Sequence, residues 1–397
     1  MKLKTENTLI LGYNLFLLSN IFIESEIHNF VGMEIFLRLI KYLGIMLCVF
    51  SCNNTSKIGI KNCFSFVFLL FLSFSNMLFF HGGSGLIEIL IIVLCCTIKR
   101  IKISQIFKNS IILLISGHLF VIFLSLFGVI NDDVSSRWFG NYMGSFFAGE
   151  YVRHKMGFLS SNQIPLTLMI VYLMLIVYKK EKIRFYVHLL FLTLNFYCFF
   201  YFGSRVSFLL IIFTFCLYVL VKAKEKTNFK KIHFTPLCWI IFIVCGIVSV
   251  MCSVFYNPNS HAWIIANQIF YNRLRWSHNV LSEYGASLLG FGTIIGKATG
   301  PNGENIIDNG YILLLMQRGI FLFVLIIGLW SFITFRAEKK KNYYLMISLF
   351  VIAIASLIDA HLLSYKMIPF YCIFTLHTYQ ITNFNKYCTK RKAFRWK

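Results

Sequence analysis

Charge is what this sequence has least of. Asp, Glu, Lys and Arg make up 13% of its 397 residues, about half the ~25% usual for a soluble domain. Acidic residues are the scarcer half, 15 against 38 Lys and Arg. Beside a 58% hydrophobic content, that shortage excludes a water-soluble globular chain, and with it disorder, a collagen repeat and a coiled coil. Chemical signatures are missing too. There is no HExxH pair, no external Asp-x-Asp and no cluster of histidines, so no metal site is expected. The Gly-rich segment has no P-loop Lys-Ser/Thr. The N-terminal apolar run has no small-residue cleavage motif and contains Gly12, Asn14, Ser19 and Asn20, so it reads as a first helix rather than a signal peptide. No internal repeat or low-complexity linker is visible. The 12 cysteines fall in apolar runs or at their edges; they read as small buried hydrophobes, and no disulfide or zinc framework is expected.

What the sequence does have is long apolar runs. They fall at about 8–23, 34–52, 62–80, 84–98, 109–130, 163–178, 184–202, 204–221, 236–256, 310–335, 343–360 and 365–383. At about 20 residues per span of a ~30 Å hydrocarbon core, the expected fold is an all-α polytopic integral membrane protein of about 12 helices. It forms one membrane domain over 1–397. The net charge of +23 would suggest nucleic acid on a soluble protein. Here 27 of the 38 basic residues fall in alternate loops, among them Lys99 to Lys108, Lys179 to Arg184, Lys222 to Lys231, Arg336 to Lys341 and the C-terminal group. The positive-inside rule makes that side cytoplasmic, with both termini inside. Topology accounts for the basicity, and no nucleic-acid partner is expected.

Two connections on the other side are long, 131–162 and 257–309. Both are rich in aromatics, Trp138 and Trp263 among them, so they read as ordered, functional loops and favour an enzyme at the outer face. Eleven basic residues stand outside the cytoplasmic set: Arg38, Lys41, Arg137, Arg153, Lys155, Arg205, Arg273, Arg275, Lys297, Arg318 and Lys366. Arginine dominates them, and arginine recognises phosphate in bidentate fashion. Residues 262–288 read as an amphipathic helix burying Trp263, Ala266, Phe270, Leu274, Leu281 and Leu288. Arg275, His278, Asn279 and Ser282 share its polar face, with Arg273 about 200° away from Arg275. Gly290, Gly292, Gly296, Gly300 and Gly303, with Pro301, read as a hinge before Asp308-Asn309. Glu24 and Glu26 read as a charged cap beside the first span.

Four segments, in order from about 150 to 320, resemble the O-antigen and capsule polysaccharide polymerases, the Wzy family, which are distantly similar to O-antigen ligases. They are Arg153-His154 with Gly157, Phe158 and Asn162; Gly203-Ser204-Arg205; Asn272-Arg273-Leu274 with Tyr284-Gly285 and Leu289-Gly290-Phe291-Gly292; and Asp308-Asn309-Gly310-Tyr311 through Gly319. Where family members often have His before the Asn, this chain has Asp308. The resemblance implies glycosyl transfer at the outer face of a bacterial cytoplasmic membrane, between oligosaccharide units carried on undecaprenyl pyrophosphate. A flippase and a chain-length regulator are the implied partners, beside membrane lipid. The donor bond is already activated, so neither ATP nor another cofactor is expected. Negative charge grows on the leaving pyrophosphate, and fixed cations in a low-dielectric pocket stabilise it. Arg153, Arg205 and Arg273 are the candidates, Arg273 ahead of Arg275 on the resemblance. His154, His278, Glu283 and Asp308 are the open choices for general base; Arg275, Asn162, Asn309 and Tyr311 are candidate substrate contacts. The alternatives are a ligase with the same donor chemistry, a lipid-linked oligosaccharide flippase with a charged cavity in its spans, and a transferase using Glu24, Glu26 and a metal.

Overall fold

The computed structural model describes residues 2–52, 85–99, 101–139, 149–227, 238–270, 272–292 and 307–376, with residues 71, 74, 75 and 78. Most of the expected span at 62–80, the end of that at 365–383, and Gly296, Gly300, Pro301 and Gly303 lie outside the described residues.

The apolar runs form helices: α1 (Lys2–Ile23), α2 (Met33–Ser51), α3 (Gly85–Lys99), α4 (Ile103–Leu126), α5 (Gln163–Lys179), α6 (Phe185–Phe202), α7 (Arg205–Thr227), α8 (Ile241–Val254), α11 (Gly310–Lys339), α12 (Tyr343–Ala355) and α13 (Ile368–Leu376), with α9 (His261–Ile269) and α10 (Arg273–Tyr284) between α8 and α11. Among the described residues, five helical segments are long and apolar enough to cross a membrane: Ile103–Leu126, Gln163–Lys182, Phe185–Phe202, Arg205–Ala223 and Gly310–Lys339. Helix α2 carries Glu34, Arg38 and Lys41. Helices α3 and α12, at 15 and 13 residues, rise only about 20 Å at 1.5 Å per residue.

Burial sorts the helices. On α12 the buried residues run from Tyr344 to Ala355 around most of the circumference, and on α5 from Pro165 to Ile176. Helices hydrophobic all round belong at the centre of a bundle. These two are joined by the Ser348 hydroxyl, which donates to the Leu173 carbonyl at 3.2 Å. Helices α2, α4 and α6 instead turn Phe36, Phe50, Phe123, Leu190 and Phe200 outward. Helices α1 and α2 cross most closely. A Cβ on Gly12 would stand 2.5 Å from the Gly44 carbonyl, the small-residue contact that lets two apolar helices approach where water supplies no drive.

The structure departs from the sequence reading in four places. Loop 131–162 holds a two-stranded antiparallel hairpin, β1 (Val134–Phe139) with β2 (Gly149–His154), Val134 opposite His154, a small addition to the expected helical fold. The expected helix at 262–288 is two, α9 and α10. Asn272 at φ 61° breaks it, and Leu288 lies beyond its end, exposed. Helix α12 stops at Ala355, so Asp359 stands in the connecting turn and not in a span.

The fourth departure is a break in α11. Gly319 (φ 79°, ψ 171°) is non-helical and divides it in two. The segment 287–291 crosses the break. Ile320 and Phe321 donate to the carbonyls of Ser287 and Leu288 at 3.0 and 3.2 Å, and Phe291 donates to Met316 O at 2.8 Å. Backbone groups freed inside an apolar region must find partners, and this strap supplies them. Gly290 and Gly319 touch backbone to backbone: a Cβ on Gly319 would lie 2.4 Å from Gly290 N. Gly290 therefore belongs to a packed crossing rather than to a hinge.

Helix ends gather in two sets. At one end the Tyr218 hydroxyl donates to Lys180 O at 3.1 Å, Trp239 meets Phe335, and the loops are rich in lysine. At the other end the C-terminus of α1 and the N-termini of α3, α5 and α11 meet the turn after α12.

Candidate functional site

Those ends enclose a half-open polar cavity of about 410 Å³. It is lined by Asn20 in the last turn of α1 and Glu24 just after it, Glu88 on α3, Asn162 and Gln163 at the start of α5, Asp308, Gln317 and Arg318 around α11, and Asp359, His361 and Lys366 from the segment between α12 and α13. Each of these stretches lies at the end opposite the lysine-rich connections.

Four ion pairs build the walls. Lys366 Nζ lies 3.2 Å from Glu24 Oε2 and donates to Gln163 Oε1 at 2.6 Å; the Tyr365 hydroxyl donates to the same Glu24 oxygen at 2.8 Å. Lys41 reaches Glu88 at 2.9 Å, Arg273 reaches Asp308 at 3.1 Å, and His361 Nε2 lies 3.3 Å from Asp359 Oδ2. Burial raises the Asp359 carboxyl, but His361 and Arg273 outweigh it and hold the group below its ordinary value. A buried charge is tolerated only beside a partner of opposite sign, so these pairs allow so polar a chamber among apolar helices.

The expected site residues divide between this wall and its supports. Asn162 precedes α5 as an N-cap would, yet its side chain makes no cap bond. Its Oδ1 accepts from an Arg153 terminal nitrogen at 2.7 Å instead. Arg153 is buried and also donates from Nε to the Phe202 carbonyl at 2.7 Å. Gly203 ends α6 at φ 63°, and a Cβ there would press on the Arg153 side chain at 3.2 Å. The first two recognised segments thus lock together, with half-buried Arg205 opening α7 next to them. Asp132 shapes the first: its Oδ1 accepts from the backbone of Lys155 and Met156, and its Oδ2 lies 2.6 Å from His154 Nδ1.

The third and fourth segments lock in the same way, through Arg273–Asp308 and Gly290–Gly319. Asn272, left-handed, begins α10 so that Arg273 is buried while Arg275 is exposed. Asn309, unlike Asn162, does cap its helix, accepting from Tyr311 N and Ile312 N at 3.0 and 3.2 Å. Tyr311 is buried, its hydroxyl donating to Ala353 O at 3.1 Å. Both hold α11 in place and neither lines the cavity. His154 stacks on Tyr201 and His278 Nδ1 lies 2.8 Å from Ser253 O, both away from the lining. Of the four candidate bases only Asp308 faces the cavity.

Sequence reasoning missed most of the wall. From sequence Glu24 reads as a cap and Arg318, Lys41 and Lys366 only as basic residues outside the cytoplasmic set, while Gln163 and Gln317 carry no signal of their own. The available signal was that Glu88, Arg318 and Lys366 interrupt apolar runs, where ionisable groups carry function by default. Among the described residues no three His, Cys, Asp or Glu side chains gather as a metal-ligating set, and all ten described cysteines are free thiols. No protein-family model matches the chain, and no curated protein is significantly similar to it.

Proposed function

We propose that this protein is a polysaccharide polymerase of the membrane, joining oligosaccharide units carried on undecaprenyl pyrophosphate by glycosyl transfer in the outward-facing cavity. One observation carries the reading. Four segments singled out by resemblance, spread from 153 to 319, meet in two locked pairs at one polar cavity, and each pair contributes a lining residue, Asn162 or Asp308. In this reading the chain spans a bacterial cytoplasmic membrane about twelve times, with both termini and the lysine-rich ends cytoplasmic. The cavity is built from helix termini and connecting turns, which favours an enzyme at the outer face over a flippase.

The chemistry follows from the site. A hydroxyl oxygen of one unit bonds to the anomeric carbon of another. The carbon–oxygen bond to undecaprenyl pyrophosphate breaks, and the pyrophosphate leaves with the electron pair. Asp308 accepts the hydroxyl proton, held in position by Arg273, while Arg205 and Arg153 supply positive charge for the leaving pyrophosphate. Arg273, first expected at the pyrophosphate, becomes a positioning residue. Arg205→Ala, Arg273→Ala and Asp308→Asn should each reduce long-chain glycan at least a hundredfold while single repeats still reach the surface, as read on a glycan ladder. Arg273→Lys should retain more activity than Arg273→Ala. Unchanged chain length in all of them would sink the assignment.

A further inference from the structure

The cavity wall has a consistent polarity. In three of its four acid–base pairs the basic side chain is the buried member and the carboxylate the open one. The Glu24, Asp308 and Asp359 side chains are 29%, 29% and 30% exposed, while their partners Lys366, Arg273 and His361 are 1%, 8% and 6% exposed. Arg318, which also lines the cavity, is 5% exposed. An incoming molecule therefore meets carboxylate oxygens, with the basic groups set behind them. Such a surface accepts hydrogen bonds, and an ionised carboxylate accepts through two oxygens at once. It gives an entering phosphate or carboxylate no open basic group to pair with. It also has little net attraction for a free cation, because each carboxylate is already paired. Leu86, Leu166, Leu313 and Leu363 supply apolar area between the polar groups, as an alternately polar and apolar ring requires. At about 410 Å³ the chamber is within the range of small-molecule sites.

We infer that this cavity binds an uncharged, hydroxyl-rich sugar ring, with Glu24, Asp308 and Asp359 accepting its hydroxyl protons as hydrogen bonds, and that the lipid pyrophosphate stays outside it. This rests on the glycosyl-transfer reading and adds the class of sugar at the junction.

The test uses the full chain in detergent micelles and saturation-transfer NMR, which reads weak binding directly. The probes are neutral methyl hexopyranosides and N-acetylhexosaminides, glucuronate as the anionic sugar, glucosamine as the cationic one, and polyprenyl pyrophosphate without sugar. At least one neutral sugar should give a signal that falls fivefold or more in Glu24→Gln and in Asp359→Asn, with glucuronate at least tenfold weaker and glucosamine no better than its neutral counterpart. Two variants on different elements guard against one that fails to fold, checked by gel filtration and helical circular dichroism. Silence of the whole neutral panel, glucuronate or glucosamine binding better than the neutral sugars, or neutral binding untouched by both folded variants would overturn the inference. These outcomes leave the chain-length experiment unaffected, so loss of the neutral-sugar site and loss of the polymerase reading are separate results. Polyprenyl pyrophosphate should bind without displacing the neutral sugar; displacement would put the pyrophosphate in the cavity and also overturn the inference.

Discussion

Asn162 and Asn309 stand in the same position, just before a long apolar helix, and do different things. Asn309 satisfies two of the open N–H groups of α11, the ordinary use of an N-cap. Asn162 gives up that role and accepts from Arg153, so its helix starts without a side-chain cap. Residue type is therefore a poor guide to role here; the nearest charge decides it. Asp359 shows the same dependence. Its carboxyl is held below its ordinary 3.8 by His361 and Arg273 against the opposing effect of burial. A depressed folded-state value adds stability above the unfolded pKa, which is lost as pH falls through the folded one. The thermal midpoint of the wild type should thus exceed that of Asp359→Asn at pH 5, and the gap should narrow as pH is lowered toward 3. A gap that widens on acidification would contradict the assigned direction. The sequence marked the arginines and Asp308 as chemistry-bearing, but not which faced the ligand, because facing depends on contacts made from other elements.

At the scale of elements, the informative feature is the broken helix α11. Its apolar run extends from 310 to 335, and only Gln317-Arg318-Gly319 in its middle hints that it is divided. The strap of residues 287–291 supplies the hydrogen bonds that the break releases and fixes where Gln317 and Arg318 join the cavity wall. An alanine at Gly319 would need a backbone region almost closed to side chains and would drive a Cβ into Gly290. Strain and overpacking together should cost about 3 kcal/mol or more. Gly328, farther along the same helix, has nothing within 4 Å of its Cβ position. Gly319→Ala should lower the thermal midpoint and shorten the glycan, while Gly328→Ala leaves both near wild type; equal behaviour of the two would remove the strap from the site's construction. The separation of α9 from α10 is a comparable case. Helical periodicity continues through 262–288, yet Asn272 turns left-handed and its side chain accepts from Asn267. Periodicity records apolar spacing and is blind to a break stabilised by side-chain bonds.

Across the whole molecule the ends divide by charge. Lysine-rich connections gather at one end, and the cavity with its strap and hairpin gathers at the other. The proposed orientation, basic end cytoplasmic, predicts that a cysteine placed at exposed Asn259 reacts with a membrane-impermeant maleimide in intact cells, and one at exposed Lys182 only after permeabilisation. The reversed pattern would turn the cavity toward the cytoplasm, where no polymer is exported.

The sequence by itself determined the material of this protein: helices of apolar residues, basic charge sorted to alternate connections, and a handful of arginines left over. Those properties are local, since hydropathy and loop charge act on a segment whatever its neighbours are. Tertiary structure decided the site. The Tyr365 hydroxyl meets Glu24 across 341 positions, Lys366 meets the same carboxylate, and Arg273 at the start of α10 meets Asp308 just before α11. The physical reason is that an ionisable group in an apolar bundle is stable only beside its partner, and which partner it finds is set by how the helices pack.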